Sequence, residues 1–365
     1  MTKRSSLVLA VLLSLSSVSS AFAQGPVPPV PKKVSPAERQ AVVKALAAQL
    51  EAKYVFPDVA RSVSASLVAK EANGGYSADV TTAVFAESLS RDLRELGKDG
   101  HFVVGYDPNF QAQVKGAHGK EDLEKRRAET ADNGFGIQKV ELLPGNVGYL
   151  EVRGFGPTEF VADAFAAAMS LLSGSEALII DLRRNGGGEP ESVAFLISHF
   201  FAAGDLRHLN DIYWRPDDTT RQFWTTSAVK THYMKPVYVL TSPQTFSGGE
   251  ECAYDFQTQK RAILVGEPTG GGANPGEGFA LDKGFAAFIP TGRAINPITK
   301  ANWEHVGVKP DLAVPAAEAL KTAHAAILRS FLATSKQTDE REYLQGLLAT
   351  VESGTVDAKR DKSPH

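Results

Sequence analysis

The sequence predicts an α/β protein, with a largely parallel-sheet core preceded by a small N-terminal helical domain. Three observations carry this. From Gly134 onward, short apolar runs alternate with helix-like stretches, the pattern of strand–helix–strand units. Before that point, residues 36–97 repeat their apolar positions near a 3.6-residue period. Finally, two glycine-bearing turns, at 181–188 and 245–250, follow apolar runs within a few residues, where α/β sheets gather their ligand sites.

Taken in order, Lys3 and Arg4 precede the apolar run Leu7–Leu13, and Ala21-Phe-Ala23 follows a serine-rich stretch. This is the layout of a secretory signal peptide, 1–23, with cleavage after Ala23 and a periplasmic or secreted mature protein. The apolar run is too short to span a bilayer. Residues 24–35 form a Pro-rich leader. Val42, Val43, Leu46, Leu50 and Tyr54 mark a first helix, Pro57 starts a second through Ala69, and Val80–Leu96 gives a third. Gly97-Lys-Asp-Gly100 breaks the pattern, and His101–Gly105 reads as a short strand. The charged segment 111–133 reads as a solvated linker in preference to an exposed helix or a mobile cover. In the core, 98–315, strands are expected at Val147–Val152, Ala177–Leu182, Val237–Leu240, Ala262–Val265 and Phe285–Ile289. Helices are expected at Val161–Leu172, Ser192–Phe201 and Gly249–Gln257. Residues 316–365 supply two amphipathic helices and a polar tail.

The formal net charge is −3, and removal of residues 1–23 would take it to −5. Nothing here suggests a nucleic-acid partner. Cys252, the single cysteine, excludes an internal disulfide and a thiolate metal cluster. There is no His-Glu-x-x-His, Walker loop or dinucleotide fingerprint, so no metal or organic cofactor is expected. No membrane anchor is expected after signal cleavage. The oligomeric state stays open, a homo-oligomer included.

Ser247 is the residue whose position says most. It stands between the apolar run Val237–Leu240 and a helix opening at Gly248. A hydroxyl there lies beside unpaired N–H groups and the positive end of a helix dipole, so it can serve as a nucleophile with a ready oxyanion site. Ser247 with Glu250 also fits a capping box. The triple glycine of Asp181-Leu-Arg-Arg-Asn-Gly-Gly-Gly188 lets the backbone approach a ligand closely, and its N–H groups can cradle an anion. Asp181 and Arg183 read as an ion pair that holds this turn. His101, at a helix–strand junction, is the candidate base. His199 and His324 fall on expected helices, His118 and His208 in charged loops, and His365 at the terminus. Glu304, beside Trp303, is a carboxylate able to orient a histidine, and His305 is a rival base.

These segments together resemble the C-terminal processing peptidases (peptidase family S41), and more narrowly the branch of the tricorn protease core and interphotoreceptor retinoid-binding protein. The matching pieces are Asp99-Gly-His-Phe102, the run 181–188, Thr245-Phe-Ser-Gly-Gly-Glu250, Gly266-Glu-Pro-Thr-Gly-Gly-Gly-Ala-Asn-Pro-Gly276 and Asn302-Trp-Glu-x-x-Gly-Val-x-Pro-Asp311. The resemblance covers roughly residues 36–315. It implies a ClpP/crotonase-like α/β core and a serine-type peptidase acting on peptide or protein substrates. Ser247 would be the nucleophile, His101 the base and Glu304 its orienting carboxylate. Gly248 with Gly187 or Gly188 would form the oxyanion hole.

Three departures matter. Gly272 stands where the processing peptidases proper have a lysine base, and Lys260 and Lys283 lie off the motif. The interval from Phe102 to Gly134 is too short for a PDZ domain. Gly100 stands where the tricorn arrangement has a serine before its histidine. The resemblance leaves two other readings: a catalytically silent binder of an apolar ligand such as a lipid or retinoid, and an acyl-transfer enzyme acting on non-peptide esters.

Overall fold

A computed structural model describes residues 32–76, 80–111 and 120–354. The expected signal peptide, most of the leader, residues 112–119 with His118, and the tail from residue 355 with His365 lie outside those residues.

Three helices come first: α1 (Pro36–Lys53), α2 (Pro57–Ala72) and α3 (Thr82–Gly97). Ser35 and Glu38 form the capping box of α1, with Pro36 in its first turn. Pro57 opens α2, and Thr81 caps α3. Lys98, left-handed at φ 56°, ends α3 and sends the chain into β1 (Val103–Tyr106). The apolar faces of these helices do not close on themselves. Leu46, Leu50, Leu67, Phe85 and Leu89 share one core with Phe102, Val104, Phe285, Ala287 and Ile289. The helical front is thus seated on a sheet made largely from residues nearly two hundred positions later, and His101 is enclosed in that seam.

The main sheet contains β2 (Ile137–Leu143), β3 (Val147–Val152), β4 (Ala177–Asp181), β7 (Val237–Thr241), β8 (Ile263–Gly266) and β12 (Leu312–Ala313), in the order β12-β8-β7-β4-β3-β2. All neighbours run parallel except β2 and β3. Strands β3, β4 and β7 are buried along their whole length, which is why they read as largely apolar runs, broken in β3 by the buried Glu151, rather than alternating ones. Helices α5 (Thr158–Leu172), α6 (Pro190–Ser198) and α7 (Gly248–Thr258) cover one face through Phe165, Met169, Ile197, Cys252 and Phe256. The helix α8 (Ala319–Thr334) covers the other through Ala319, Ala323 and Ile327, and α9 (Thr338–Ser353) packs onto α8. The connections β4–α6 and β7–α7 leave the same end of two adjacent parallel strands, so the two glycine-bearing turns emerge side by side.

Two expectations differ from the structure. Phe285–Ile289 does not join the parallel sheet. It lies in β10 (Phe285–Pro290), between β1 and β9 (Gly276–Ala280), in an antiparallel sheet. The four-residue link from β9 to β10 is too short for a parallel crossover. His208 is in no loop: it opens β5 (His208–Trp214), which pairs with β6 (Thr219–Trp224) and β11 (Gly292–Ile295). Its ring stacks on Trp224 at 4.3 Å. Strand β6 shows almost no buried position, so no apolar run marks this hairpin in the sequence. The charged segment contains a helix, α4 (Lys120–Asp132). Among the described residues, no helix is long and apolar enough to cross a membrane.

Candidate active site

Residues Phe246–Gly249 make a tight turn closed by the Gly249 N–H on Phe246 O at 2.9 Å. Its second residue is Ser247, at φ 54° and ψ −122°. These are the angles of the first central position of a type II′ turn, where glycine is the usual choice. A serine held there stores on the order of 1–3 kcal/mol of backbone strain. Glu250 maintains it. Its Oε2 accepts from the N–H groups of Ser247 at 2.9 Å and Gly272 at 2.8 Å, and its Oε1 from Gly271 N–H at 2.6 Å and Thr269 Oγ1 at 2.5 Å. One fully buried carboxylate therefore ties the serine turn to the 269–272 loop. Burial pushes this carboxyl up to about 7, against the opposing pull of those four hydrogen bonds. The sequence marked Glu250 only as a cap partner; its second task, gripping a loop some twenty residues on, leaves no local signal.

The triple-glycine turn lies against the serine turn. A side chain at Gly187 would meet Ser247 Cβ at 2.7 Å, and one at Gly248 would meet Gly188 N and O at 2.9 Å. Both approaches exclude any residue larger than glycine. Asn185 joins the two turns: its backbone O accepts from Phe246 N–H at 2.9 Å, its Oδ1 from Gly187 N–H at 2.8 Å, and its Nδ2 donates to Val152 O at 3.0 Å. The Gly187 N–H is thereby occupied. The N–H groups of Gly188 and Gly248 have no hydrogen-bond acceptor among the described residues. The expected ion pair is present: Arg183 Nη2 lies 2.6 Å from Asp181 Oδ2, which also accepts from the Tyr149 hydroxyl at 2.6 Å. Burial alone would raise the Asp181 carboxyl, but the Arg183 and Tyr149 hydrogen bonds hold it below the usual carboxylate range.

His101 is buried, and its ring packs on Phe246, the neighbour of Ser247, with centroids 4.6 Å apart. Front helices and sheet thus bring imidazole and serine turn to one side of the molecule. Neither ring nitrogen of His101 makes a hydrogen bond, so the imidazole and the Ser247 hydroxyl are not joined. Asp99 Oδ1 accepts from the His101 backbone N–H at 3.0 Å and lies 3.3 Å from Nδ1. Asp99 Oδ2 accepts from Asn274 Nδ2 at 2.9 Å and from the Tyr54 hydroxyl at 3.3 Å. Glu304 reaches the same place: one donor atom from each of Asp99, His101 and Glu304 falls within 4.8 Å of the others. Glu304 Oε2 accepts from Ala273 N–H at 2.5 Å. Burial, then the neighbouring Asp99 charge, pushes its carboxyl up to about 8. Trp303 fixes this segment by donating Nε1–H to Gly272 O at 2.7 Å. His305, the rival base, is largely exposed and lies 3.5 Å from Glu304 Oε1.

Gly272 explains why no lysine occupies its position. A Cβ there would stand 2.2 Å from Phe246 Cζ and 2.7 Å from His101 Cε1. The space a lysine stem needs is filled by the imidazole and the ring that supports it. Gly100 is tight in a milder way: a Cβ there would stand 3.2 Å from Phe246 Cζ.

Residues 146–314 match the profile of peptidase family S41, and residues 36–130 match that of the N-terminal domain of peptidase S41 in eukaryotic IRBP. Two consecutive segments, which together take in most of the chain, match the two parts of one architecture. The chain belongs to peptidase family S41. It is 28% identical over 225 residues to the carboxy-terminal processing protease CtpB of Bacillus subtilis, covering 61% of this chain and 44% of that protein. It is 29% identical over 188 residues to carboxyl-terminal-processing peptidase 2, chloroplastic, of Arabidopsis thaliana, covering 47% and 34%. The chain thus spans less than half the length of these relatives. A putative peptidase from Parabacteroides merdae has the same fold, with a TM-score of 0.56 at 18% identity over 84% of this chain and 99% of that one. The tricorn protease superposes with a TM-score of 0.52 at 13% identity, over 87% and 37%.

Proposed function

We propose that this chain is a serine peptidase in which Ser247 attacks a peptide carbonyl, His101 relays the proton and Glu304 orients the imidazole. The observation that carries the proposal is the pairing of a strained serine with two unengaged backbone N–H groups, those of Gly248 and Gly188, at one turn. His101 Nε2 takes the Ser247 proton as the carbonyl carbon becomes tetrahedral. The oxyanion forms beside the two N–H groups, which need no reorganisation to receive it. His101 then passes the proton to the leaving amine, and a water repeats the sequence on the acyl-enzyme. The unpaired Nε2 closes on the hydroxyl when substrate arrives, as catalytic hydrogen bonds commonly tighten only in the complex. Substrates are peptides or proteins, and the basic–apolar–small-residue start of the chain supports action outside the cytoplasm after cleavage behind Ala23.

The test is covalent labelling of the purified protein with a fluorophosphonate probe, beside peptide hydrolysis. Wild type is expected to label at Ser247. Ser247→Ala is expected to lose labelling and to lower kcat by roughly four to six orders of magnitude, and His101→Ala by a similar factor. Equal labelling of wild type and Ser247→Ala would refute the assignment.

A further inference from the structure

The cluster around His101 holds more acceptors than the relay uses. His101 Nδ1 and Nε2, Glu304 Oε1 and Asn274 Oδ1 are all buried, and none has a hydrogen-bond partner. Asp99 and His101 have no side-chain exposure, and Glu304 has 8%. No lysine or arginine forms an ion pair with either carboxylate among the described residues; the basic groups at ion-pair distance are His101 for Asp99 and His305 for Glu304. Two adjacent carboxylates removed from water carry a large desolvation cost unless a cation or a proton compensates them.

We propose that Asp99, His101 and Glu304 form a binding site for a divalent transition metal of the Zn²⁺ type, and that its occupation silences the peptidase centre. The silencing half rests on the peptidase reading above; the binding half does not. Each residue offers one donor, and the three donors lie within 4.8 Å of one another. Tetrahedral zinc with bonds of about 2.0–2.1 Å needs donors roughly 3.4 Å apart. The widest pair must therefore draw in by up to roughly 1.4 Å, a movement that no hydrogen bond of Glu304 Oε1 or of the imidazole nitrogens opposes. An imidazole with two carboxylates selects zinc-like ions over calcium or magnesium, which prefer all-oxygen cages. Asn274 carries its unpaired Oδ1 to the same place, since its Nδ2 donates to Asp99. A metal-bound imidazole has one nitrogen committed and a positive charge beside it, so it no longer takes the Ser247 proton.

The experiment titrates ZnCl₂ into metal-free Ser247→Ala protein by calorimetry and reads Co²⁺ binding by its visible absorption. One ion per chain is expected. Asp99→Asn and Glu304→Gln are each expected to weaken binding at least about tenfold. Glu304→Gln keeps the oxygen that accepts from Ala273, so it retains the fold even if Asp99→Asn loses it, and a thermal melt confirms this. In wild type, Zn²⁺ is expected to block fluorophosphonate labelling at the same midpoint, and EDTA to restore it. Absence of stoichiometric binding, or binding indifferent to Glu304→Gln, overturns the site. Binding that leaves labelling intact overturns the silencing. Because the Ser247→Ala titration is read without turnover, an inactive wild type would count against the peptidase reading alone.

Discussion

Replacing Gly272 by alanine tests whether the 269–272 loop positions the His101 imidazole, the base of the proposed mechanism. Gly272 does not have a left-handed φ, so alanine meets no backbone strain and the substitution acts through its methyl group alone. That methyl would lie 2.2 Å from Phe246 Cζ, 2.5 Å from Phe246 Cε2 and 2.7 Å from His101 Cε1. Carbon atoms in contact sit about 3.5–4.0 Å apart, so the Phe246 ring, the imidazole or the loop must shift by about an ångström. Overpacking of this kind costs about 1–3 kcal/mol of stability. An ångström of misplacement at a reacting group lowers rate by about a hundredfold. Gly272→Ala is therefore expected to lose roughly a hundredfold in kcat/KM on a fluorogenic peptide while still folding. Gly174→Ala, where a methyl would meet nothing within 4 Å, is the control and is expected to match wild type. A Gly272→Ala enzyme within about threefold of wild type, with an unchanged melting temperature, would show that His101 does not depend on this contact.

Glu250→Gln replaces one of two acceptor oxygens by an amide that faces N–H donors. It is expected to destabilise the protein by about 2–4 kcal/mol through two orphaned donors and to depress fluorophosphonate labelling; denaturant melts and labelling rates measure both. Arg183→Ala leaves the buried Asp181 without its charge partner and is expected to cost about 3–5 kcal/mol, read as a fall in denaturation midpoint. Burial raises Glu251 and Glu304 to about 8, and Glu250 and Glu189 to about 7, from an ordinary 4.5. The folded protein then binds more protons than the unfolded chain between pH 4.5 and 8, so stability is greatest at the acid end and declines as pH rises through the window. For Glu250 alone the change corresponds to roughly 3 kcal/mol. Asp181, held low, acts in the opposite sense only below its ordinary range near pH 4. The melting temperature is expected to fall between about pH 5 and pH 8.5, and Glu251→Gln to flatten that slope. A melting temperature that climbs over this range would contradict the burial of these carboxyls as acids.

Much of the architecture was legible in the residues because it is written in local patterns. Periodicity marked the front helices, and Pro57 placed the start of the second. Largely apolar runs marked β3, β4 and β7, because strands buried on both faces have no solvent-facing side to show. The hairpin β5–β6 and the strands β9 and β11 were invisible, since they are short or largely exposed and pair across turns without apolar alternation. The same division runs through the site. Ser247, the glycine turn and His101 stand in recognisable segments of the sequence. What no segment states is that Gly187 has its N–H occupied by Asn185 while Gly188 does not, that Glu250 grips a second loop, or that Gly272 is empty so that His101 and Phe246 can fill the space. Those facts depend on atoms from positions near 100, 185, 250 and 272 meeting in one volume. Sequence determines which chemistry each segment carries, because that is a property of residue type and spacing; only tertiary packing decides which groups share a boundary, because contact distance and burial depend on the closure of the whole chain.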